Sequence, residues 1–248
     1  MKPVLFLASV IAVVLLALGW RATRAASAAE PEARVYSGVS HEPEEREQDR
    51  ARFLALGDSY TIGHGVDSAD RWPVQLAGLL RVDGVAVGDP QIIAVTGWTT
   101  DELAAGIARA APRGPFALVT LLIGVNNQYR GRALDEYRVQ FRALLAQAIG
   151  FAGGEARRVV VVSIPDWGAM PFAAGRDRAK IGHAIDAFNA AGRIEAEATG
   201  AAFVDITPAS REQHVNWAAP DGLHPSGRQY TAWARLVLEP ARTALATR

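Results

Sequence analysis

Short apolar runs alternate with longer stretches of helical periodicity from Arg52 to the end of the chain. This alternation is typical of parallel strands that are joined by crossover helices. Five runs have the length and composition of buried strands, and they cover residues 53–56, 92–96, 118–123, 159–164 and 202–206. The pattern predicts an α/β fold, namely a three-layer α/β/α sandwich with a five-stranded, mostly parallel sheet.

Two of the segments between these runs carry apolar residues at helical spacing. The first stripe consists of Leu134, Tyr137, Phe141, Leu144, Leu145 and Ala148. The second consists of Ile181, Ile185, Phe188 and Ile194. Gly153 and Gly154 follow the first stripe, and glycine is a common helix terminator. Both segments are predicted to be helices that bury these side chains.

Two further helices are predicted from other signals in the sequence. Thr99 and Glu102 have the spacing of a capping box, in which the two side chains bond the free amides of the first turn. A helix is therefore predicted to begin at Thr100, directly after Gly97 and the second apolar run. A last helix is predicted over residues 226–246.

The first 28 residues form a separate segment. Lys2 precedes an uncharged apolar run over residues 4–20, which ends at Arg21, and residues 26–28 offer a small-residue cleavage site. The run is longer than a usual signal-peptide core and just reaches the length of a spanning helix. Residues 1–28 are thus interpreted as a signal peptide or an N-terminal membrane anchor. Either would place the remaining chain in the periplasm or outside the cell, or tether it to the membrane through residues 4–20.

Composition divides the rest of the chain and excludes several functions. Residues 29–51 are acidic and poor in large apolar side chains, which predicts a flexible spacer before one domain over residues 52–248. The 26 basic and 26 acidic residues balance, so no broad positive field favours nucleic acid. The chain has no cysteine, which excludes disulfides and thiolate chemistry.

A serine comes directly after the first predicted strand. Ligands of parallel sheets bind at the carboxyl ends of the strands, so this serine lies where a site is expected. Ser59 follows Gly57 and Asp58 on a tight strand-to-helix turn and precedes Gly63. A serine hydroxyl attacks an acyl carbon when a neighbouring base removes its proton. The turn does not have the Gly-x-Ser-x-Gly pattern of the α/β-hydrolase elbow. Ser59 is therefore a candidate nucleophile of another hydrolase class.

Asp221 and His224 lie in one short segment before the last predicted helix. Their spacing lets the carboxylate accept the Nδ1 proton of the imidazole while Nε2 faces the serine. His64 and His214 are weaker candidate bases: His64 is only five residues beyond Ser59, and His214 has no carboxylate at comparable spacing. Two other aspartates, Asp166 and Asp205, end strands and are rival acids.

Donors for a developing oxyanion are also available at the strand ends. The backbone amides of Ser59 and Gly97 can supply two, and the side-chain amide of Asn126 can supply a third. Loss of one such donor typically costs about 2.7–4 kcal/mol of transition-state stabilisation. Each residue alone also fits a plain turn or cap, so the prediction depends on their joint occurrence in this chain order.

In this order the residues resemble the SGNH, or GDSL-type, hydrolase family, over essentially all of residues 52–248. The resemblance implies a flavodoxin-like sandwich in which Ser59 is the nucleophile, Gly97 and Asn126 complete the oxyanion hole, His224 is the base and Asp221 is the acid. It implies an esterase, lipase-like, thioesterase or carbohydrate esterase activity that uses an acyl-enzyme. Two positions depart from the family pattern: Tyr60 replaces a common leucine, and Asn127 replaces a common aspartate.

The substrate is predicted only as a class: a small-molecule, glycan or lipid ester. No cofactor or metal is expected, because no metal-ligand or phosphate-loop motif accompanies the serine. Candidates for stacking on a sugar or lining an acyl pocket are Trp72, Trp98, Trp167 and Trp217. Two other functions stay open, namely an acyltransferase to a sugar or lipid hydroxyl and a non-catalytic ligand-binding domain of the same fold.

Overall fold

The sheet of the protein has five parallel strands. The computed structural model describes residues 50–212, 214 and 216–246, so the predicted leader and most of the acidic spacer lie outside the described residues. The strands are β1 (Phe53–Gly57), β2 (Gln91–Ala94), β3 (Leu118–Leu122), β4 (Val159–Val162) and β5 (Ala202–Val204). Their order across the sheet is β2-β1-β3-β4-β5, and every pairing is parallel. The predicted α/β fold is therefore confirmed.

Helices form the outer layers of the sandwich. They are α1 (Ser59–Ile62), α2 (Trp72–Val82), α3 (Thr100–Ala110), α4 (Val125–Tyr129), α5 (Leu134–Phe151), α6 (Arg178–Thr199), α7 (Thr207–Arg211) and α8 (Gly227–Ala246). Helix α2 packs against α8, whereas α5 packs against both α3 and α6. The chain moves from β1 first to the edge strand β2 and then across to β3, β4 and β5. With the right-handed crossovers that parallel strands require, this reversal places the two groups of helices on opposite faces of the sheet.

The core is built from the strands and the inner helix faces. Every residue of β1, β3 and β4 is buried, as expected for parallel strands that are covered on both faces. Most of the two predicted stripes are buried too, with two corrections. Leu134 is 36% exposed because it is the first residue of α5, and Ile194 is 53% exposed. Ile194 comes six residues after Phe188, which turns it away from the buried face of α6.

The helix boundaries follow local chemistry. Helix α3 begins at Thr100 as predicted, and the Glu102 carboxylate accepts the Thr99 amide at 2.9 Å. Helix α5 ends just before Gly153 and Gly154, which both adopt positive φ angles. Within the described residues, no helix has both the length and the apolar character needed to cross a bilayer.

The strand order determines where a ligand site can form. The chain leaves β1 toward β2 on one side and returns to β3 on the other, so the crevice at the carboxyl ends of β1 and β3 is the switch point of the sheet. Helices α1 and α4 begin directly after these two strands. Both therefore start at the same edge of the sheet.

A nearly buried carboxylate joins the two longest helices of one layer. Glu195 of α6 is 5% exposed and accepts hydrogen bonds from Arg138 Nε at 2.8 Å and from Arg142 Nε at 2.7 Å, both on α5. The hydrogen bonds from Arg142, with those from Arg138, lower the pKa of Glu195 to about 2 against the opposing effect of burial. The folded protein therefore favours the ionised carboxylate.

We expect Glu195→Gln to lower the free energy of unfolding near neutral pH by about 1.5–3 kcal/mol, the contribution of hydrogen bonds to charged groups. The folded pKa lies below the unfolded one, so this stabilisation is complete above about pH 5 and is lost as the pH falls toward about 2. Urea unfolding at about pH 7 and about pH 3.5 should show the difference between the two proteins shrinking in acid. Glu197→Gln, on the exposed side of the same helix, is the control, and a pH-independent difference for Glu195→Gln would contradict the assignment.

Candidate active site

Ser59 begins α1 immediately after β1 and is 4% exposed. The Oδ1 atom of Asp58 caps this short helix by accepting the Tyr60 amide at 3.0 Å, and Gly63 ends it in the left-handed region. A Cβ atom on Gly57 would lie 2.5 Å from the carbonyl oxygen of Leu122 in β3. Only glycine therefore lets the serine turn approach the end of β3 this closely.

Asp58 is a second ionisable group at this turn. It is fully buried, and burial raises the pKa of its carboxyl to about 7 although the backbone amide of Tyr60 opposes the shift. Its Oδ2 atom accepts no hydrogen bond from the described residues. The nucleophile candidate thus follows a carboxyl group that is uncharged over much of the acidic range.

Asp221 and His224 form a direct pair. The carboxylate uses Oδ1 for the backbone amides of Leu223 and His224, at 2.9 and 3.0 Å, and Oδ2 for the His224 Nδ1 atom at 2.6 Å. A backbone hydrogen bond of 2.7 Å from Ala219 to the His224 carbonyl closes the loop, and Gly222 makes its turn with a φ of 70°. The loop therefore fixes both the carboxylate and the imidazole ring.

The protonation of this pair follows from its surroundings. Burial raises the pKa of Asp221, but the hydrogen bonds from His224 and Leu223 outweigh it and leave the pKa below its usual value. Burial lowers the pKa of His224, against the opposing effect of Asp221. An ionised carboxylate requires Nδ1 to be the donor, so a neutral imidazole carries its lone pair on Nε2.

One small cavity brings three of the five predicted site residues together. Its volume is about 150 Å³, and its walls are formed by Ser59, Tyr60, Val125, Asn126, Tyr129, Trp167, Leu223 and His224. Ser59 and Asn126 reach it from α1 and α4 at the switch point, and His224 reaches it from the loop before α8. A hydroxyl, an imidazole and a primary amide thus face one cavity that is open on one side.

The oxyanion candidates differ in position. Asn126 lines the cavity and donates one Nδ2 hydrogen to the Trp98 carbonyl at 2.9 Å. Gly97 is not among the residues that form the cavity walls. It lies in the turn between β2 and α3 with a φ of 89°. Its carbonyl accepts a hydrogen bond of 2.6 Å from Arg130, whose Nη1 atom also contacts Glu102 at 3.3 Å. Arg130 therefore ties the loop after β2 to helix α3.

The ring of Trp98 packs directly against the backbone of α3 because residue 106 of that helix is a glycine. A Cβ atom on Gly106 would lie 2.5 Å from Trp98 Cζ3, so the indole covers the helix backbone there. Trp98 in turn provides the carbonyl that Asn126 binds. Trp98, in the loop after β2, therefore contacts α3 through its ring and the Asn126 amide through its carbonyl.

The rival residues have other partners. Asp166 accepts Arg211 Nε at 2.9 Å and the Gly168 amide at 2.8 Å, and Asp205 pairs with Arg193 at 3.1 Å. His214 does have a nearby carboxylate, contrary to the expectation from its spacing: Glu212 lies 2.9 Å away. Neither His214 nor these two aspartates lines the cavity.

His64 lies much closer to the pair than its sequence position suggested. Its Nε2 atom is 3.9 Å from Asp221 Oδ2, and its ring centroid is 4.5 Å from that of His224. The left-handed turn at Gly63 directs the chain back toward this loop. The structure therefore adds a second imidazole beside the predicted pair.

The two departures from the family pattern have structural roles. The Tyr60 ring packs 5.7 Å from the ring of His224 and 5.9 Å from that of Trp233, measured between centroids. Asn127 is buried and bonds both the amide and the hydroxyl of Thr100, at 3.1 and 2.7 Å. Asn127 thus joins the start of α4 to the start of α3 and supports the segment that carries Asn126.

Aromatic residues form the rim of the cavity. Of the four tryptophans named above, only Trp167 lines it, whereas Trp72 is fully buried in the core. Tyr129 was not predicted, although it comes three residues after Asn126 and therefore shares its helix face. The guanidinium of Arg176 lies over the rings of Tyr129, Trp167 and Phe172, 5.0–5.9 Å from their centroids.

Similar proteins are found by family and by structure. The model of the GDSL-like lipase/acylhydrolase family matches residues 55–232. No curated protein sequence matches the chain at a significant level. Among solved structures, TesA has a TM-score of 0.61 at 18% identity, with 78% of this chain and 99% of TesA covered.

Two other solved structures are similar. Axe2, an acetylxylan esterase from Geobacillus stearothermophilus, has a TM-score of 0.58 at 20% identity, with 80% of this chain and 97% of Axe2 covered. The psychrotrophic esterase EstA from Pseudoalteromonas sp. has a TM-score of 0.57 at 15% identity, with 79% and 98% covered. These likenesses extend over nearly the whole of each relative and support the fold. Because the family model spans well over half of the sequence, the chain belongs to the GDSL-like lipase/acylhydrolase family and is a hydrolase of that family.

Proposed function

We propose that the protein is a serine ester hydrolase in which Ser59 is the nucleophile, His224 the base and Asp221 the acid. The observation that carries the proposal is the single cavity that Ser59, Asn126 and His224 line, with Asp221 bonded to the far side of the imidazole. Membership of the family supports the hydrolytic reaction.

The reaction proceeds by two acyl transfers. His224 Nε2 takes the hydroxyl proton as Ser59 Oγ attacks the acyl carbon, and the same proton then goes to the departing alkoxide. Water attacks the resulting acyl-enzyme with His224 again as base, and the proton returns to Ser59 as the acid product leaves. Asp221 keeps the imidazole in the tautomer with its lone pair on Nε2 and stabilises the imidazolium.

The negative charge of each tetrahedral intermediate is stabilised by the Ser59 backbone amide and the Asn126 side chain, which both line the cavity. The Gly97 amide, from the loop after β2, is the third donor in this proposal although Gly97 is not part of the cavity wall. A primary amide has two hydrogens, and the Trp98 carbonyl engages one of the two on Asn126. That bond orients the amide before the substrate arrives, so the second donor needs no reorganisation during the reaction.

The acyl group is short. A cavity of about 150 Å³ is well below the 300–1,000 Å³ that drug-sized ligands occupy. Trp167 donates a hydrogen bond of 2.8 Å from Nε1 to Gln128. This bond restricts rotation of the indole, so this side of the cavity does not widen easily. The alcohol part of the ester lies outside, against the half-exposed ring of Tyr129.

The cellular location is part of the proposal. In this proposal the enzyme acts outside the cytoplasm, where it is either released after cleavage near residue 28 or tethered to the membrane by residues 4–20. The apolar run after Lys2 supports both arrangements.

Ser59→Ala and His224→Ala should each lower kcat for p-nitrophenyl acetate by at least about 10³-fold, because each removes a group that acts in both transfers. Ser68→Ala and His183→Ala are matched controls at exposed positions and should retain wild-type kinetics. Thermal unfolding of all four variants tests that the fold is intact. Near-wild-type turnover in either site variant would refute the proposal, and acyl transfer to an added alcohol in place of water would favour the transferase.

Asp221→Asn should lower kcat roughly 10³–10⁴-fold, because an amide at this position can hold the imidazole in the wrong tautomer. Asp166→Asn is the counterpart at the rival acid, where the carboxylate pairs with Arg211 rather than with His224. It should lower the free energy of unfolding while kcat stays within a few-fold of wild type. Steady-state kinetics and urea unfolding on both variants check this, and the reverse pattern would make Asp166 the acid.

Turnover should fall steadily along p-nitrophenyl acetate, butyrate, hexanoate and octanoate. Trp167→Ala removes one wall of the cavity and should raise kcat/KM for hexanoate relative to acetate on the order of 10-fold. Trp217→Ala, which changes a tryptophan outside the cavity, should leave this ratio unchanged. An unchanged ratio in Trp167→Ala would show that the acyl chain binds elsewhere.

A further inference from the structure

Three metal-ligating side chains converge beside the cavity. His64 comes from the turn after α1, and Asp221 and His224 come from the loop before α8. One donor atom from each lies within 4.8 Å of the other two. His224 Nδ1 is 2.6 Å and His64 Nε2 is 3.9 Å from Asp221 Oδ2. In the described part of the chain, this is the one group of three such residues with this spacing.

We propose that His64, Asp221 and His224 form an inhibitory site for a divalent transition-metal ion such as Zn²⁺. Zinc bonds of about 2.0–2.2 Å in tetrahedral geometry separate neighbouring ligand atoms by roughly 3.3 Å. The His224–Asp221 distance would open and the His64–Asp221 distance would close by less than about 1 Å each. The third pair, His64 with His224, starts within 4.8 Å and would close by up to about 1.5 Å. Rotation of the half-exposed His64 side chain can supply shifts of this size.

The surroundings hold the donor atoms in place without an ion. His64 Nδ1 lies 3.1 Å from the Thr96 hydroxyl, and donation of an Nδ1 hydrogen to this oxygen leaves the lone pair on Nε2, toward Asp221. The other carboxylate oxygen of Asp221 is fixed by two backbone amides. Two of the three ligands thus have supporting contacts of the kind that orient ligands in metal sites.

The site is open to ions on one side. The side chains of His64 and Asp221 are 48% and 36% exposed, whereas that of His224 is 9% exposed. A fourth position can therefore be filled by water, and an ion can enter from solvent. Two imidazoles with one carboxylate favour zinc or copper over calcium or magnesium. The chain has no cysteine to compete for such an ion.

The ion acts on the base through its tautomer. In the free protein His224 carries its proton on Nδ1 and its lone pair on Nε2. A metal bound at Nδ1 displaces that proton, and a neutral imidazole must then carry a hydrogen on Nε2, so no net proton is released from the ring. Nε2 becomes a donor and cannot accept the hydroxyl proton of Ser59. The ion also occupies Asp221 Oδ2, so it removes the orienting carboxylate at the same time.

The inhibition experiment uses chelator-treated full-length protein and Zn²⁺ alone. Rates with p-nitrophenyl acetate should fall as Zn²⁺ is added and return when a chelator is supplied. His64→Gln should raise the half-inhibiting concentration by on the order of 10-fold or more, with each variant scaled to its own metal-free rate. His214→Gln is the matched control, since this exposed histidine also pairs with a carboxylate, Glu212. Equal inhibition of all three proteins would overturn the proposal.

The binding experiment separates this inference from the proposed function, on which its inhibitory part rests. Isothermal titration of Ser59→Ala with Zn²⁺ should give one ion per chain, and adding His64→Gln to that variant should weaken the affinity by the same factor. Thr96→Val, which removes only the contact to His64 Nδ1, should give a smaller loss. An unchanged zinc affinity in both His64→Gln and Thr96→Val would overturn the site. Full activity at a saturating zinc concentration would overturn its regulatory role. A protein that hydrolyses no ester but binds zinc in this way would refute the esterase and leave the metal site standing.

Discussion

The close approach of the ends of β1 and β3 is the constraint on which the site depends. Gly57 pairs with Leu122 across these strands, and a side chain at Gly57 would collide with the Leu122 carbonyl. Because that space is empty, α1 and α4 begin side by side, and Ser59 and Asn126 reach one cavity. The His224 loop, which comes late in the sequence just before α8, completes the arrangement at the same edge of the sheet.

Much of the fold was predictable because its signals are local. A parallel sheet buries both faces of its strands, so each strand is a continuous apolar run, and the capping box marks the start of α3. The strand ends were less accurate: the runs over residues 92–96 and 202–206 continue past the last paired residues, Ala94 and Val204. Beyond β5 the Ile206 side chain is still buried, whereas Val95, directly after β2, is 46% exposed, so an apolar run does not mark the last paired residue of either strand.

The site was only partly predictable. Ser59 and the Asp221–His224 pair stand out because each lies within a few residues of its structural support. The contact of Arg130 with Gly97 and the approach of His64 to Asp221 join positions 33 and 157 residues apart, and no local signal marks them. The same holds for Asp166, whose partner Arg211 lies 45 residues further along the chain.

The contact between Trp98 and Gly106 has a consequence for how such a protein can diversify. Tyr129 and Trp167 line the cavity, and replacing either of them changes the shape of its wall. Gly106 does not line the cavity, yet one added methyl group there would push the indole outward and shift the carbonyl that Asn126 binds. This position on the surface of α3 therefore tolerates less change than the positions at the mouth of the cavity, although it does not line the cavity itself.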